Sequence, residues 1–280
     1  TPLDPFFRAS SGHTGPMSAP AIDSVLADLS AEHEALDVLV ANLSEAQWRT
    51  MTPAAEWTIA DSVGHIAFFD ERARLAMVDP DAFAADRERL IAAAPHDGSV
   101  DFARSVSGAE LLSQWRQDRA ELIAAARLVD PSARVPWYGP AMSLRSFMTA
   151  RLMETWAHGQ DVADALGIVR PATDRLRHVC HIGVQARPFS LMINHRPADD
   201  TPIFVSLLGP SGDEWTWGSP DAAGGSLLGT ALDFALVVVQ RRNLADTALE
   251  IQGESVAKWM EVAQAFAGPP GPGRAPAGDR

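Results

Sequence analysis

Four long segments between residues 22 and 167 carry apolar residues at helical spacing, and each is bounded by helix start or stop signals. In 22–43, Val25, Leu29, Leu36, Leu39 and Val40 make much of one apolar face, and Ser44 caps a short turn containing Trp48. The segment 58–77 opens on Thr58 and Asp61 at capping-box spacing and stops at Asp79-Pro80. The segment 107–128 opens on Ser107 and Glu110 and ends at Asp130-Pro131. The last, 143–166, has Gly167 at its C-cap. Residues 80–101 connect the second and third, with a helical piece over 82–93. A chain so punctuated folds as a helix bundle.

Past Arg170-Pro171 the pattern changes. The spacing predicts a helix over 174–186 and strands over 203–208 and 214–217, joined by Gly209-Pro-Ser-Gly212 as a hairpin. The apolar run 227–242 reads as buried helix or strand, with Asp233 and Gln240 favouring helix. A strand over 249–252 and a helix over 254–266 follow. Trp215 and Trp217 alternate as a strand places them, so they share one face as packing residues. The expected fold class is α+β: a helix bundle over 18–170 and a smaller α+β domain over 171–268. Residues 1–17, Ser/Gly/Pro-rich and ending at a candidate start Met17, read as a disordered leader or tag, and 269–280 as a disordered tail.

The net charge of −13 argues against a nucleic-acid partner, which needs a positive footprint, but not against a small anionic substrate. Cys180 is the one cysteine, so no intrachain disulfide forms, which fits a reducing cytoplasm. No apolar stretch approaches the roughly 20 residues that span a bilayer. The expected partner is a small molecule, with no membrane; the oligomeric state stays open.

The chemistry concentrates in Arg151-Leu-Met-Glu154-Thr-Trp-Ala-His158-Gly-Gln-Asp161. Glu154 and His158 stand one helical turn apart, with Cβ atoms about 6 Å from each other. A carboxylate and an imidazole on one face can share a divalent metal, and His65, mid-helix among apolar residues, is the best third ligand. Three protein ligands leave an open coordination position, as catalytic sites require. Spacing alone also allows a solvated Glu–His pair and a core histidine. The ligand types do not choose among zinc, nickel, manganese and ferrous iron; zinc is the first choice.

Trp57-Thr-Ile-Ala-Asp-Ser-Val-Gly-His65-Ile-Ala-Phe-Phe-Asp70 resembles the second-helix motif of the DinB-like superfamily, and within it the mycothiol-dependent maleylpyruvate isomerase group. The segment from Trp137-Tyr-Gly-Pro140 through Glu154-Thr-Trp-Ala-His158-Gly-Gln-Asp-Val-Ala-Asp164 resembles that group's fourth-helix motif. The resemblance implies a DinB-like four-helix bundle followed by a sterol-carrier-like domain, with His65, Glu154 and His158 as metal ligands. It also implies that a low-molecular-weight thiol such as mycothiol serves as cofactor of an isomerase or S-transferase acting on a small unsaturated anion. Two other classes stay open: a thiol-independent metal-dependent hydrolase, lyase or cyclase, and a non-enzymatic metal- or small-molecule-binding module.

Further candidates are ranked by position. Tyr138, the one tyrosine, precedes the metal-bearing helix and is either a hydrogen-bond donor to substrate or a packed turn aromatic. His33 is a candidate acid or base if it faces the bundle interior. Arg145 and Arg151 are candidates to hold a carboxylate. Asp161 is placed to orient an imidazole. Arg241 and Arg242 are candidates to bind an anionic substrate or thiol cofactor, or simply close a helix C-terminus. Cys180 reads as core.

Overall fold

The computed structural model describes residues 22–93 and 98–279; the leader expected at 1–17 lies outside the described residues. The four long helices form where the sequence places them: α1 (Ile22–Val40), α3 (Ile59–Val78), α6 (Gly108–Ala126) and α7 (Leu144–Leu166). Between them lie α2 (Glu45–Trp48), α4 (Pro80–Ala93) and α5 (Asp101–Ser105). The signals read from sequence are physical contacts. Capping boxes open α2 at Ser44, α3 at Thr58 and α6 at Ser107, and Gly167 ends α7 in the left-handed conformation at φ 67°. A two-stranded ribbon, β1 (Arg134–Val135) against β2 (Met142–Ser143), frames the turn that carries Trp137 and Tyr138.

The second unit contains α8 (Leu176–Gln185), α9 (Arg187–Ile193), α10 (Ala231–Val238) and α11 (Glu254–Met260) around strands β3 (Phe204–Leu208), β4 (Glu214–Trp217), β5 (Ser226–Thr230) and β6 (Glu250–Gln252). The sheet order is β4-β3-β5-β6; β3–β4 is the expected antiparallel hairpin, β3–β5 is parallel and β5–β6 antiparallel. The register puts Val205, Leu207, Trp215 and Trp217 on one face, with Trp215 buried there. The chain is α+β.

Four local expectations differ from the structure. The apolar run 227–242 is divided: β5 takes its start and α10 its middle, with Thr230 capping α10 by accepting from the Asp233 amide. Uniform apolarity hides such a boundary, because periodicity alone does not tell a short apolar strand from a buried helix. Helix α9 lies beyond the helix expected over 174–186, with Pro188 in its first turn, where proline is tolerated. Helix α11 ends at Met260, short of the expected 266. The Pro/Gly-rich tail, expected to be disordered, is seated: Asn243 donates to the Arg274 carbonyl at 2.8 Å and Asp246 accepts from the Ala277 amide.

The apolar stripe of the bundle is interrupted at one level. Above and below it lie two apolar clusters, one built on Leu29, Ala73, Leu122 and Leu152, the other on Leu36, Val63, Ile66 and Trp115. Between them each helix buries a polar side chain: His33 on α1, Asp70 on α3, Asp118 on α6 and Arg151 on α7. Arg151 donates to Asp70 through Nε (3.0 Å) and Nη2 (2.9 Å), and His33 Nε2 stands 3.4 Å from the other Asp70 oxygen. Burial raises the Asp70 carboxyl, but the Arg151 guanidinium and His33 outweigh it and hold the pKa below its ordinary value.

Among the described residues no guanidinium pairs with Asp118 as Arg151 does with Asp70. Burial pushes the Asp118 pKa up to about 6; the hydrogen bond from Gln114 opposes this, and the charges of Glu71, Asp70 and Glu121 add to it. Between pH 3.8 and about 6 the folded state therefore binds more protons than the unfolded one, so stability falls as pH rises through that window. Asp118→Asn is expected to gain about 1–2 kcal/mol near neutral pH, after a discount for partial solvation, and to change little at about pH 3.5. Urea denaturation at both pH values checks this; equal effects at the two would show that Asp118 does not titrate there.

Candidate metal centre

Helix α3 is pinned at its start. Thr58 and Asp61 cap each other, and Arg104 donates to the second Asp61 oxygen at 2.8 Å. His65 follows Asp61 by about one turn. Gly64 beside it meets α5 so closely that a Cβ would stand 2.4 Å from that of Ala103. This approach brings Ser99 to 2.9 Å from His65 Nδ1. With Nδ1 engaged, Nε2 is the nitrogen assigned to a metal.

Helix α7 supplies the rest. It is buried along nearly its whole length because α1 and α3 cover one side and α8 another. Glu154 and His158 lie one turn apart, with Glu154 Oε2 3.7 Å from His158 Nε2. One ligand atom from each of His65, Glu154 and His158 falls within 4.8 Å of the others, and no fourth His, Cys, Asp or Glu joins them among the described residues. Trp57 lies flat on His158 at 5.5 Å and tilted on His65 at 5.0 Å, and Phe69 packs on His65 at 4.7 Å. These rings cover one side of the two imidazoles, while Glu154 keeps part of its side chain exposed.

The electrostatics suit a cation. Burial drives the His158 pKa well down, and His65, Arg241 and Arg151 push the same way, so its imidazole is neutral and its lone pair available. Burial raises Glu154, with Arg151 and Arg241 opposing. Two imidazoles and a carboxylate short of positive charge are thus held together, and a divalent ion fits that deficit.

The other candidates fall in different places. Tyr138 sits one ring away, its centroid 5.8 Å from Phe69, with its hydroxyl buried and unbonded among the described residues. Burial pushes its pKa to about 12. His33 faces the interior, but against Asp70 and Trp115. Asp70 is five residues from His65, roughly 140° around the helix, so His33 is not brought to the triad. Arg145 is exposed on the first turn of α7; nine residues before Glu154 is two and a half turns, which points it to the opposite side. Arg151 is taken up by Asp70. Arg241 and Arg242 pair with Asp161 and Asp164 at 2.7 Å, which places both on carboxylates of α7 rather than in an open anion pocket. Cys180 is buried in the core and donates to the Ala231 carbonyl. Sequence reasoning missed Ser99 and Arg274, which lie in segments without periodicity; Asp70 was within the quoted motif but carried no spacing signal of its own.

The domain model described as the mycothiol maleylpyruvate isomerase N-terminal domain matches residues 29–163. Uncharacterized protein Rv0036c of Mycobacterium tuberculosis strain H37Rv is 47% identical over 254 residues, covering 89% of this chain and 97% of that protein. Uncharacterized protein MT0041 of strain CDC 1551 matches equally. The crystal structure of a mycothiol-dependent maleylpyruvate isomerase superposes with a TM-score of 0.52 at 15% identity, over 79% of this chain and 90% of that one. A histidine-to-alanine mutant of that isomerase superposes with a TM-score of 0.50 at the same coverage. These two likenesses speak to fold.

Elemental analysis tests the triad. His65→Ala and His158→Ala are each expected to lose nearly all bound divalent metal with the far-ultraviolet circular dichroism retained, and Glu154→Gln to bind about 10–100-fold more weakly. Undiminished metal in a variant would remove that residue from the site.

Proposed function

From the premise that this chain belongs to the DinB-like superfamily, in the mycothiol maleylpyruvate isomerase-like family, we propose a metal-dependent enzyme that uses a small thiol to isomerise, or transfer that thiol to, a small unsaturated anion. The observation that carries the reading is the three-ligand cluster of His65, Glu154 and His158, drawn from two helices and without a fourth protein ligand among the described residues. A divalent ion held there supplies the Lewis acidity that keeps a thiol ionised at neutral pH, the nucleophile required for reversible addition to a conjugated double bond or for thiol transfer.

The chain's own groups support such chemistry. Ser99 fixes the His65 ring, and burial keeps His158 neutral. Trp57 and Phe69 pack apolar surface on the two imidazoles, which strengthens charge interactions at the ligand atoms on that side. Tyr138, protonated across the neutral range and without an acceptor of its own among the described residues, is suited to donate a hydrogen bond to a developing oxyanion. Zinc is the first choice of ion and mycothiol the first choice of thiol.

The decisive assay follows a cis unsaturated keto acid with purified zinc-loaded protein, with and without mycothiol. Turnover is expected only with both thiol and metal. Turnover without thiol would replace the reading by a metal-dependent hydrolase, lyase or cyclase; no turnover beside full metal binding would favour a binding module. Tyr138→Phe is expected to lower kcat about 10–100-fold at unchanged metal content; an unaltered kcat would make Tyr138 a packing residue.

A further inference from the structure

We propose that Arg274, in the C-terminal tail, is a positioning residue for His158: acting through Asp161, it sets how tightly the triad holds a divalent cation. This rests on the metal reading above. Asp161 is fully buried on α7, one turn past His158. Its Oδ2 accepts from Arg241 Nε at 3.1 Å and Nη2 at 2.7 Å. Its Oδ1 accepts from Arg274 Nη2 at 2.7 Å, a contact across 113 residues of sequence. His158 Nδ1 stands 3.6 Å from Oδ2, buried and without a hydrogen-bond partner among the described residues.

A histidine that offers Nε2 to a metal carries its proton on Nδ1. A buried N–H without an acceptor is a costly group, and Asp161 Oδ2 lies within about 1 Å of an ordinary hydrogen bond to it. The orientation of the carboxylate therefore decides whether His158 is held for coordination. A guanidinium alone with a carboxylate takes both oxygens in a fork. Here Arg274 occupies Oδ1, so Arg241 is confined to Oδ2, and Oδ2 keeps its place beside His158 Nδ1. Without Arg274, the fork of Arg241 is free to turn the carboxylate and draw Oδ2 away from the imidazole.

The tail is built to deliver this contact. Gln264, itself buried, donates to the carbonyls of Phe266 and Gly268 at 3.1 and 2.8 Å and fixes where the tail leaves the second unit. Asn243 then holds the Arg274 carbonyl, and Asp246 holds the Ala277 amide. Arg274 thus arrives with backbone anchors on either side of it.

The test uses the full chain. Zinc affinity is measured by competition with a chromophoric chelator for wild type, His65→Ala, Arg274→Ala, Arg274→Lys, Asp161→Asn, and Arg274→Ala in the Asp161→Asn background. Arg274→Ala is expected to weaken zinc binding about tenfold, at the lower end of what removal of outer ligand partners does. Lysine, which can give Oδ1 the single donor that arginine gives it, is expected to restore most of that affinity. In the Asp161→Asn background the Arg274 substitution is expected to add no further loss, because the two act through one contact. Wild-type zinc affinity in Arg274→Ala, even with a lowered melting temperature, would make the tail a clasp of the fold only and overturn the proposal. An additive loss in the double variant would place the effect outside Asp161 and overturn it too. Zinc binding that survives His65→Ala would instead sink the metal reading, and the role of Arg274 with it.

Discussion

The burial of α7 is the constraint on which the rest of this protein turns. One helix is covered by α1 and α3 on one side and by α8 on another, yet it carries Arg151, Glu154, His158 and Asp161. Charges removed from water must be matched, or they shift their ionisation or destabilise the fold. Each of these groups is answered from a different part of the chain. Arg151 meets Asp70 of α3, and Asp161 meets Arg241 and Arg274 from beyond the bundle. His158 and Glu154 meet each other and His65, with Asp161 Oδ2 3.6 Å from the His158 ring, and burial disfavours the charged form of both. The candidate site is the place where this matching is incomplete.

The same requirement joins the two units. The bundle supplies acids and the later part of the chain supplies their partners: Asp28 stands 2.8 Å from His178 Nε2, and Glu32 pairs with Arg170 and Arg175, Asp161 with Arg241 and Arg274, and Asp164 with Arg242. Glu32 and Asp161 are almost wholly buried, so their pairs are screened little by salt. An apolar cluster also runs through the boundary, from Leu29, Leu152 and Trp156 to Val179, Phe234 and Leu236. The second unit is therefore part of the setting of α7 and of the electrostatics around its ligands, rather than an independent attachment.

Aromatic packing does complementary work on the outer side. Trp57 lies across both imidazoles because it stands immediately before the cap of α3, where Glu56 takes a left-handed φ of 65°. Phe69, one turn beyond His65, links the ligand to Tyr138, and Trp137 stacks flat on Phe83 of α4. Ring contacts of this kind fix side chains at small entropic cost and leave the tyrosine hydroxyl as a polar group in an apolar wall.

The amino-acid sequence alone determined the helices, their caps and the one-turn spacing of Glu154 and His158, because these depend on residues within a few positions of one another. It also pointed to His65, through the motif around it. Tertiary structure decided everything that depends on which distant group arrives. His33 and His65 are both helical histidines, yet only the rotation of α1 and α3 sends one to Asp70 and the other to the triad. Arg145, Arg241 and Arg242 look alike as cations in a string of letters; helix phase turns the first to solvent, and two carboxylates of α7 capture the others. Arg274 sits in a Pro/Gly-rich tail whose composition says nothing of a destination, and its place beside Asp161 is set by anchors that chain connectivity does not reveal. Local order follows from short-range sterics and hydrogen bonds, whereas the pairing of buried charges is settled only when the whole core closes around them.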